Sequence, residues 1–144
     1  MTGVTVIIPT YNRAATLPAA IESVMAQELA DVEIIVADDG STDGTQALLA
    51  QRYGEKIRAI PLPHSGLPAV ARNAALREAM GEYVAFLDSD DRWLPGKLHR
   101  QLKVMAKNPL AGLVCCNALV ERPGEPGAAR RFFDTILNFL SYAW

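Results

Sequence analysis

The amino-acid sequence predicts an α/β fold, a mostly parallel, twisted sheet with helices on both faces. Short apolar runs rich in β-branched residues alternate with segments of helical periodicity four times within about a hundred residues. Two of the apolar runs end in acids, at Asp38 and at Asp88, and the connections are long enough for the crossover helices that parallel strands require. The chain has 144 residues, 50% of them apolar and 21% charged, which suits one ordinary domain able to bury a core without disulfide or structural metal.

The elements follow in order. Val4 to Ile8, closed by Pro9, reads as a strand buried on both faces. Thr16 is placed to cap a helix through Ile21, Val24 and Met25, with Pro18 tolerated in its first turn and Glu22 near the positive end of its dipole, ending near Glu28. Val32 to Ala37 repeats the strand pattern and stops at Asp38, Asp39 and Gly40; Thr42 or Asp43 then caps a helix to about Tyr53, closed by Gly54. A weaker third strand spans Ile57 to Leu62. The loop Pro63 to Gly66 leads into a helix from about Leu67 to Met80, ended by Gly81. Tyr83 to Leu87 is the fourth strand. A helix starting near Pro95 presents Leu98, Leu102 and Met105 at helical spacing and stops before Pro109. Leu113 to Leu119 is expected to form a fifth strand, with the adjacent Cys115 and Cys116 on opposite faces as buried, unbridged thiols. Arg122 to Gly127 reads as a turn and Arg130 to Tyr142 as an aromatic amphipathic helix.

Fourteen basic against sixteen acidic residues give a net charge of −2, so nothing draws the chain generally to nucleic acid or anionic lipid, and nucleic acid is not an expected partner. No apolar stretch approaches the roughly 18 residues needed to span a bilayer, and no basic, then apolar, leader opens the sequence. The expectation is cytoplasmic. His64 and His99 lack zinc-ligand spacing.

In open parallel sheets, ligands bind outside the carboxyl ends of the strands. Those ends carry Pro9, Thr10, Tyr11, Asn12 and Arg13; Asp38, Asp39, Gly40 and Ser41; and Asp88, Ser89, Asp90 and Asp91. Five carboxylates in one crevice repel one another unless a cation compensates, and an oxygen-only cluster suits Mg2+ or Mn2+ shared with substrate phosphates. Ser89 lets Asp88 and Asp90 diverge, one toward a sugar hydroxyl and the other toward the metal. Asp38 and Asp43 read equally well as turn or cap residues. Tyr11 offers a flat face for a base whose polar edge Thr10 and Asp39 can meet. Arg13 reads equally as a site cation or a solvated one. The segment His64, Ser65, Gly66 either begins a helix or lends its free N–H groups to phosphates as well, and Trp93 is expected to pack beneath the acidic loop.

TVIIPTYNR, VADDGSTDGT, an ARN-bearing helix and FLDSDD occur in that order with the right elements between them. Together they resemble an inverting nucleotide-sugar glycosyltransferase of the large family two, whose fold is the Rossmann-like GT-A fold. The resemblance covers residues 4 to about 120. It implies that Pro9, Thr10 and Tyr11 line a base pocket and that Asp39 binds the base. Asp88 would face the ribose or donor sugar, while Asp90, with Asp88 beside it, would ligate the Mg2+ or Mn2+ that bridges the diphosphate. Arg72 and Asn73 match the family's position for nucleotide and sugar contacts, and Asp38, Ser89, Arg13 and Gly66 complete the implied donor set.

The implied donor is a nucleoside diphosphate sugar, most often UDP-linked. The acceptor is a glycan or lipid-linked hydroxyl, and the parent protein is cytoplasmic or peripheral to the inner face of the membrane. Residues 1–120 would form the nucleotide-sugar-binding domain, and 121–144 the start of an acceptor-side region or a terminal helix. Glu121, Glu125 and Asp134 lack the context of the family's general base, so no catalytic base is assigned, and a non-catalytic binding or interaction module is the alternative. The apolar tail, with Phe132, Phe133, Ile136, Leu137, Phe139, Leu140 and Trp144, predicts self-association. Two other classes fit less well. A sugar nucleotidyltransferase needs a glycine-rich loop where PTYNRAAT stands, and a phosphoacceptor domain needs an acidic pair where Pro-Thr-Tyr stands.

Overall fold

The computed structural model describes residues 3–120 and 130–131. These fall into two compact units, the first ending at Lys97 and the second beginning at Leu98. The first unit contains β1 (Val4–Thr10), α1 (Leu17–Met25), β2 (Val32–Asp38), α2 (Thr45–Arg52), β3 (Arg58–Pro61), α3 (Pro68–Glu78) and β4 (Tyr83–Phe86). Its four strands pair in the order β3-β2-β1-β4, every pairing parallel. The α/β parallel architecture read from the sequence is therefore the observed one.

All seven residues of β1 are buried, as expected of a central strand covered on both faces. Side-chain alternation sends Ile7, Ile35 and Ala37 to one face, where Ala71 and Ala75 of α3 pack against them with Ile60 and Leu62 at the margin. Two alanines at i and i+4 let α3 lie close to the sheet. The opposite face, with Val4, Val6, Ile8, Ile34 and Val36, is equally buried. Helix α1 buries Leu17, Ala20, Ile21 and Val24, the i, i+3, i+4, i+7 stripe of an amphipathic helix. Fully burying one of these large aliphatic side chains contributes about 1.5–3 kcal/mol.

Several local expectations are corrected. Thr16 sits at the N-cap of α1, but its hydroxyl makes no cap hydrogen bond. Asp43 does serve the start of α2. Its Oδ1 accepts from the Thr45 amide (3.1 Å) and hydroxyl (2.6 Å), while Gly44 occupies the left-handed N-cap position. Helix α3 ends at Glu78 with extended Ala79 after it, so Gly81 is no cap. A Cβ at Gly81 would lie 2.5 Å from the Thr5 amide nitrogen and 2.8 Å from the Val4 carbonyl carbon, and glycine is there to let the chain pass β1.

The second unit holds nearly all of α4 (Lys97–Lys107) and a short antiparallel pair, β5 (Leu119–Val120) with β6 (Arg130–Arg131). The expected strand from Leu113 is absent up to Ala118. Those residues have no ladder partner among the described residues, and an apolar run alone does not satisfy its backbone. Cys115 and Cys116 are accordingly exposed rather than buried. Arg130 and Arg131 are extended, so no helix starts there. The remainder of that expected helix, the turn at 122–127, the apolar tail with its self-association, and Glu121, Glu125 and Asp134 all lie outside the described residues. Among the described residues no helix is long and apolar enough to cross a membrane.

Gly81→Ala is expected to lower the unfolding free energy by about 1–3 kcal/mol, the usual penalty for forcing atoms into a filled space. Urea denaturation measures it; an unchanged midpoint would show that β1 can move aside.

Candidate functional site

Because β1 lies between β2 and β4 and all three run the same way, their carboxyl ends open on one side of the sheet. A cleft of about 280 Å³ occupies that place, lined by Pro9, Thr10, Tyr11, Arg13, Asp39, Gly66, Pro68, Ala71, Arg72, Asp88, Ser89 and Asp90. The site residues read from the sequence line it with two exceptions, Asp38 and Asn73. Pro68 and Ala71 were not foreseen, since in sequence they read only as ordinary helix residues.

Asp38 is 1% exposed. Its Oδ1 accepts from the Ser41 amide (3.1 Å) and hydroxyl (2.5 Å), and its backbone carbonyl from the Leu62 amide (2.8 Å), which is the turn role left open by the sequence. Asp38 continues the alternation of Ile34 and Val36, whose face is the one α3 does not cover. Its Oδ2 and the Oγ1 of Thr10, its register partner on β1, are buried and have no hydrogen-bond partner among the described residues. Asn73 is exposed on α3, about 100° around the helix from Arg72.

Asp39 is 5% exposed and gathers the neighbouring loop. Its Oδ1 accepts from the amide (2.9 Å) and hydroxyl (2.7 Å) of Ser65, its Oδ2 accepts from the Gly66 amide (2.9 Å), and His64 Nδ1 is 3.1 Å from Oδ2. Burial pushes the Asp39 carboxyl up, but these Ser65 and Gly66 bonds and His64 outweigh it and hold it below the ordinary carboxylate value. The loop approaches this closely because Gly40 has no side chain. With φ at +77°, a Cβ there would lie 2.9 Å from the His64 amide nitrogen. The His64 ring stacks on Tyr11, centroids 4.1 Å apart and planes 20° from parallel.

The loop carrying Tyr11 is fixed to the turn after β2. The Asn12 amide donates to Ser41 Oγ (2.8 Å), the Thr42 amide to Asn12 Oδ1 (2.8 Å), and the Ala14 amide to Asp43 Oδ2 (3.0 Å). Asn12 itself adopts φ +51°, a conformation Asn tolerates better than most residues. The acidic loop is anchored from below by α1. Ser23 Oγ accepts from the Trp93 amide (3.0 Å), and Gln27 Nε2 donates to the Leu94 carbonyl (3.1 Å). Trp93 is buried, as expected of a packing residue, with the Lys97 ammonium 3.9 Å from its ring centre.

Each cleft acid of that loop faces an arginine. Arg72 donates to Asp88 Oδ1 at 2.5 Å, and Arg13 lies 3.5 Å from Asp90 Oδ2. Asp91 has its carboxyl raised above the ordinary value, chiefly by burial and further by the charges of Asp90 and Asp88. Among the described residues no three His, Cys, Asp or Glu side chains converge into a complete metal cage. Such a donor set fits a hard cation held by one or two carboxylates and completed by ligand oxygens, and it does not fit a zinc site.

The family model described as "Glycosyl transferase family 2" matches residues 5–140. The chain is 41% identical over 125 residues to the putative teichuronic acid biosynthesis glycosyltransferase TuaG of Bacillus subtilis, covering 85% of this chain and 50% of that one. It is 39% identical over 108 residues to the UDP-Glc:alpha-D-GlcNAc-diphosphoundecaprenol beta-1,3-glucosyltransferase WfgD of Escherichia coli, covering 75% and 43%. Among solved structures, the 1–349 segment of S. aureus TarS in complex with UDP superposes with a TM-score of 0.69 at 32% identity, over 74% of this chain and 33% of that one. The mannosyltransferase PcManGT of Pyrobaculum calidifontis, in complex with GDP-Man and Mn2+, gives a TM-score of 0.72 at 34% identity, over 83% and 36%. The chain spans half or less of the length of these relatives.

Asp39→Asn is expected to cost about 1.5–3 kcal/mol at neutral pH, because it turns an NH2 toward donors that need an acceptor. The Asp39 carboxyl titrates below its ordinary value near 3.8 in the folded chain. Its stabilisation is therefore complete above that value and lost as pH falls through the depressed one. Urea unfolding at several pH values should show the gap to the variant shrinking in acid; a constant gap would contradict the assignment.

Proposed function

The chain belongs to glycosyl transferase family 2, and on that premise we propose that it is the donor-binding part of an inverting glycosyltransferase that takes a nucleoside diphosphate sugar with Mg2+ or Mn2+. The observation that carries this is the division of the cleft. An aromatic ring and a buried carboxylate, Tyr11 and Asp39, stand at one part, and acids paired with arginines, Asp88 with Arg72 and Asp90 with Arg13, at another. An aromatic and polar part suits a base; an alternation of acids and guanidinium groups suits a cation together with a diphosphate.

In this reading Tyr11 stacks on the base and Asp39 accepts from a ring N–H. All four acceptor positions of the Asp39 carboxylate already face the 64–66 loop, so the base shares an oxygen with that loop and its binding is coupled to the loop's seating. Arg13 and Arg72 neutralise the acids in the free protein and turn to phosphate oxygens when a diphosphate arrives, leaving Asp90 and Asp88 to hold the ion. When bound, the ion supplies Lewis-acid neutralisation of the departing diphosphate. The start of α3 adds little to the anion site: Pro68 has no N–H, and the Ser65, Gly66, Leu67 and Val70 amides already donate to Asp39, to Ser65 Oγ and to the Leu67 carbonyl.

We favour a UDP-linked donor because the names of WfgD and of the TarS complex carry UDP, while the GDP-Man complex of PcManGT keeps a purine donor in the test. Residues 1–120 form the donor-binding region and 121–144 begin the acceptor side, which brings the general base. The acceptor hydroxyl belongs to a glycan or a lipid-linked sugar, the latter named for WfgD, presented at the cytoplasmic face of the membrane.

A thermal-shift series with UDP and GDP, each with and without Mn2+, tests the proposal. At a ligand concentration 100 times Kd the folded state gains about 2.7 kcal/mol, enough to raise the melting temperature by several degrees. The Mn2+-dependent part of that rise should vanish in Asp90→Ala. No rise with either nucleotide would refute the reading, and binding without sugar transfer by the whole protein would leave a non-catalytic module.

A further inference from the structure

Tyr11, the first residue after β1, is 41% exposed, and a tyrosine ring so placed with nothing against it would sample several rotamers. Here one face of the ring is covered by the His64 imidazole at 4.1 Å. His64 is itself held. Its Nδ1 lies 2.9 Å from the Asp39 backbone carbonyl and 3.1 Å from Asp39 Oδ2. Both atoms only accept, so Nδ1 carries the hydrogen and donates, whether or not the ring is charged. Its backbone is fixed as well, seated on Gly40 so tightly that a Cβ there would come within 3.0 Å of the His64 Cβ.

His64 does not line the cleft, whereas Tyr11 and Asp39 both do. The imidazole therefore stands behind Tyr11, and the residue with which it stacks and the residue to which it donates are the two assigned to the base. We infer that His64 is a positioning residue for base recognition, one ring that sets both the plane of the Tyr11 phenol and the seat of the Asp39 carboxylate before any nucleotide arrives. This rests on the donor-site reading above and deepens it. Preorganisation of this kind removes from binding the ordering cost of the Tyr11 rotamer and of the 64–66 loop, so it acts on affinity for the base and not on the diphosphate.

The opposite arrangement makes the opposite forecast. If the His64 ring occupied the place of the base, displacing it would cost affinity and its removal would tighten nucleotide binding.

The test is calorimetric titration of the chain and of His64→Ala, His64→Phe and His64→Asn with two probes, UDP (GDP if only GDP binds the unmodified chain) and inorganic pyrophosphate, both with Mn2+. His64→Ala should bind the nucleotide about five- to tenfold more weakly and pyrophosphate as the unmodified chain does. His64→Phe keeps a ring for the stack and His64→Asn keeps an N–H for Asp39, so each should recover part of the loss, and circular dichroism on these two guards against simple misfolding. Nucleotide binding that His64→Ala leaves unchanged or tightens overturns the inference alone. So does an equal loss on pyrophosphate, or a loss that neither conservative variant relieves. Failure of the unmodified chain to bind either nucleotide overturns the donor-site reading and this inference with it.

Discussion

The carboxylate of Asp39 is the interaction on which the site depends. A carboxylate this largely buried is stable only if donors surround it, and those within the protein come from one three-residue segment, His64 to Gly66. Satisfying that single charge ties the end of β2 to the connection between β3 and α3. It thereby fixes where α3 begins and where the His64 ring stands, and through that ring it fixes Tyr11. The sheet makes this possible in turn. Only with β1 flanked by β2 and β4, all parallel, do Tyr11, Asp39 and Asp88 leave the sheet on the same side.

The other part of the cleft is governed by charge balance. Asp88, Asp90 and Asp91 follow one another closely, and the response is visible in the two arginines drawn to Asp88 and Asp90, while burial first and these charges second raise the carboxyl of Asp91. These pairs are half exposed, and such pairs add little to stability. Their consequence is for binding. On the proposed reading, a guanidinium that exchanges a carboxylate for a phosphate would offset the charge of the site both before and after a cation enters. The rigid part is underneath, where Ser23 and Gln27 of α1 hold the backbone at Trp93 and Leu94.

How much of this was legible in the sequence depends on the range of the forces involved. The strands of the first unit were readable because parallel, doubly covered strands write themselves as unbroken β-branched runs such as TVII. Their acidic ends were readable because acids at strand ends have few structural uses. Leu113 to Ala118 has the composition of a strand but no ladder partner among the described residues, and composition does not report neighbours. Asp39 was legible as a candidate for the base, whereas Asp38 stayed open between turn and site until alternation along β2 turned it into the turn. His64 was legible only as part of the segment before α3; the place of its ring was not, because that arises from a stack across 53 positions of the chain, from Tyr11 to His64. Gly81 looked like a helix stop and proves to be a point of close passage beside Thr5.

A base and a diphosphate are proposed to occupy the two parts of a single cleft at the ends of β1, β2 and β4. A crystal structure with UDP and Mn2+, recorded at the manganese absorption edge, tests it most directly. The account predicts an anomalous peak beside Asp90 and Asp88, with the uracil ring on the open face of Tyr11 and its edge at Asp39. Manganese bound away from those acids, or a nucleotide lying elsewhere on the sheet, would contradict it.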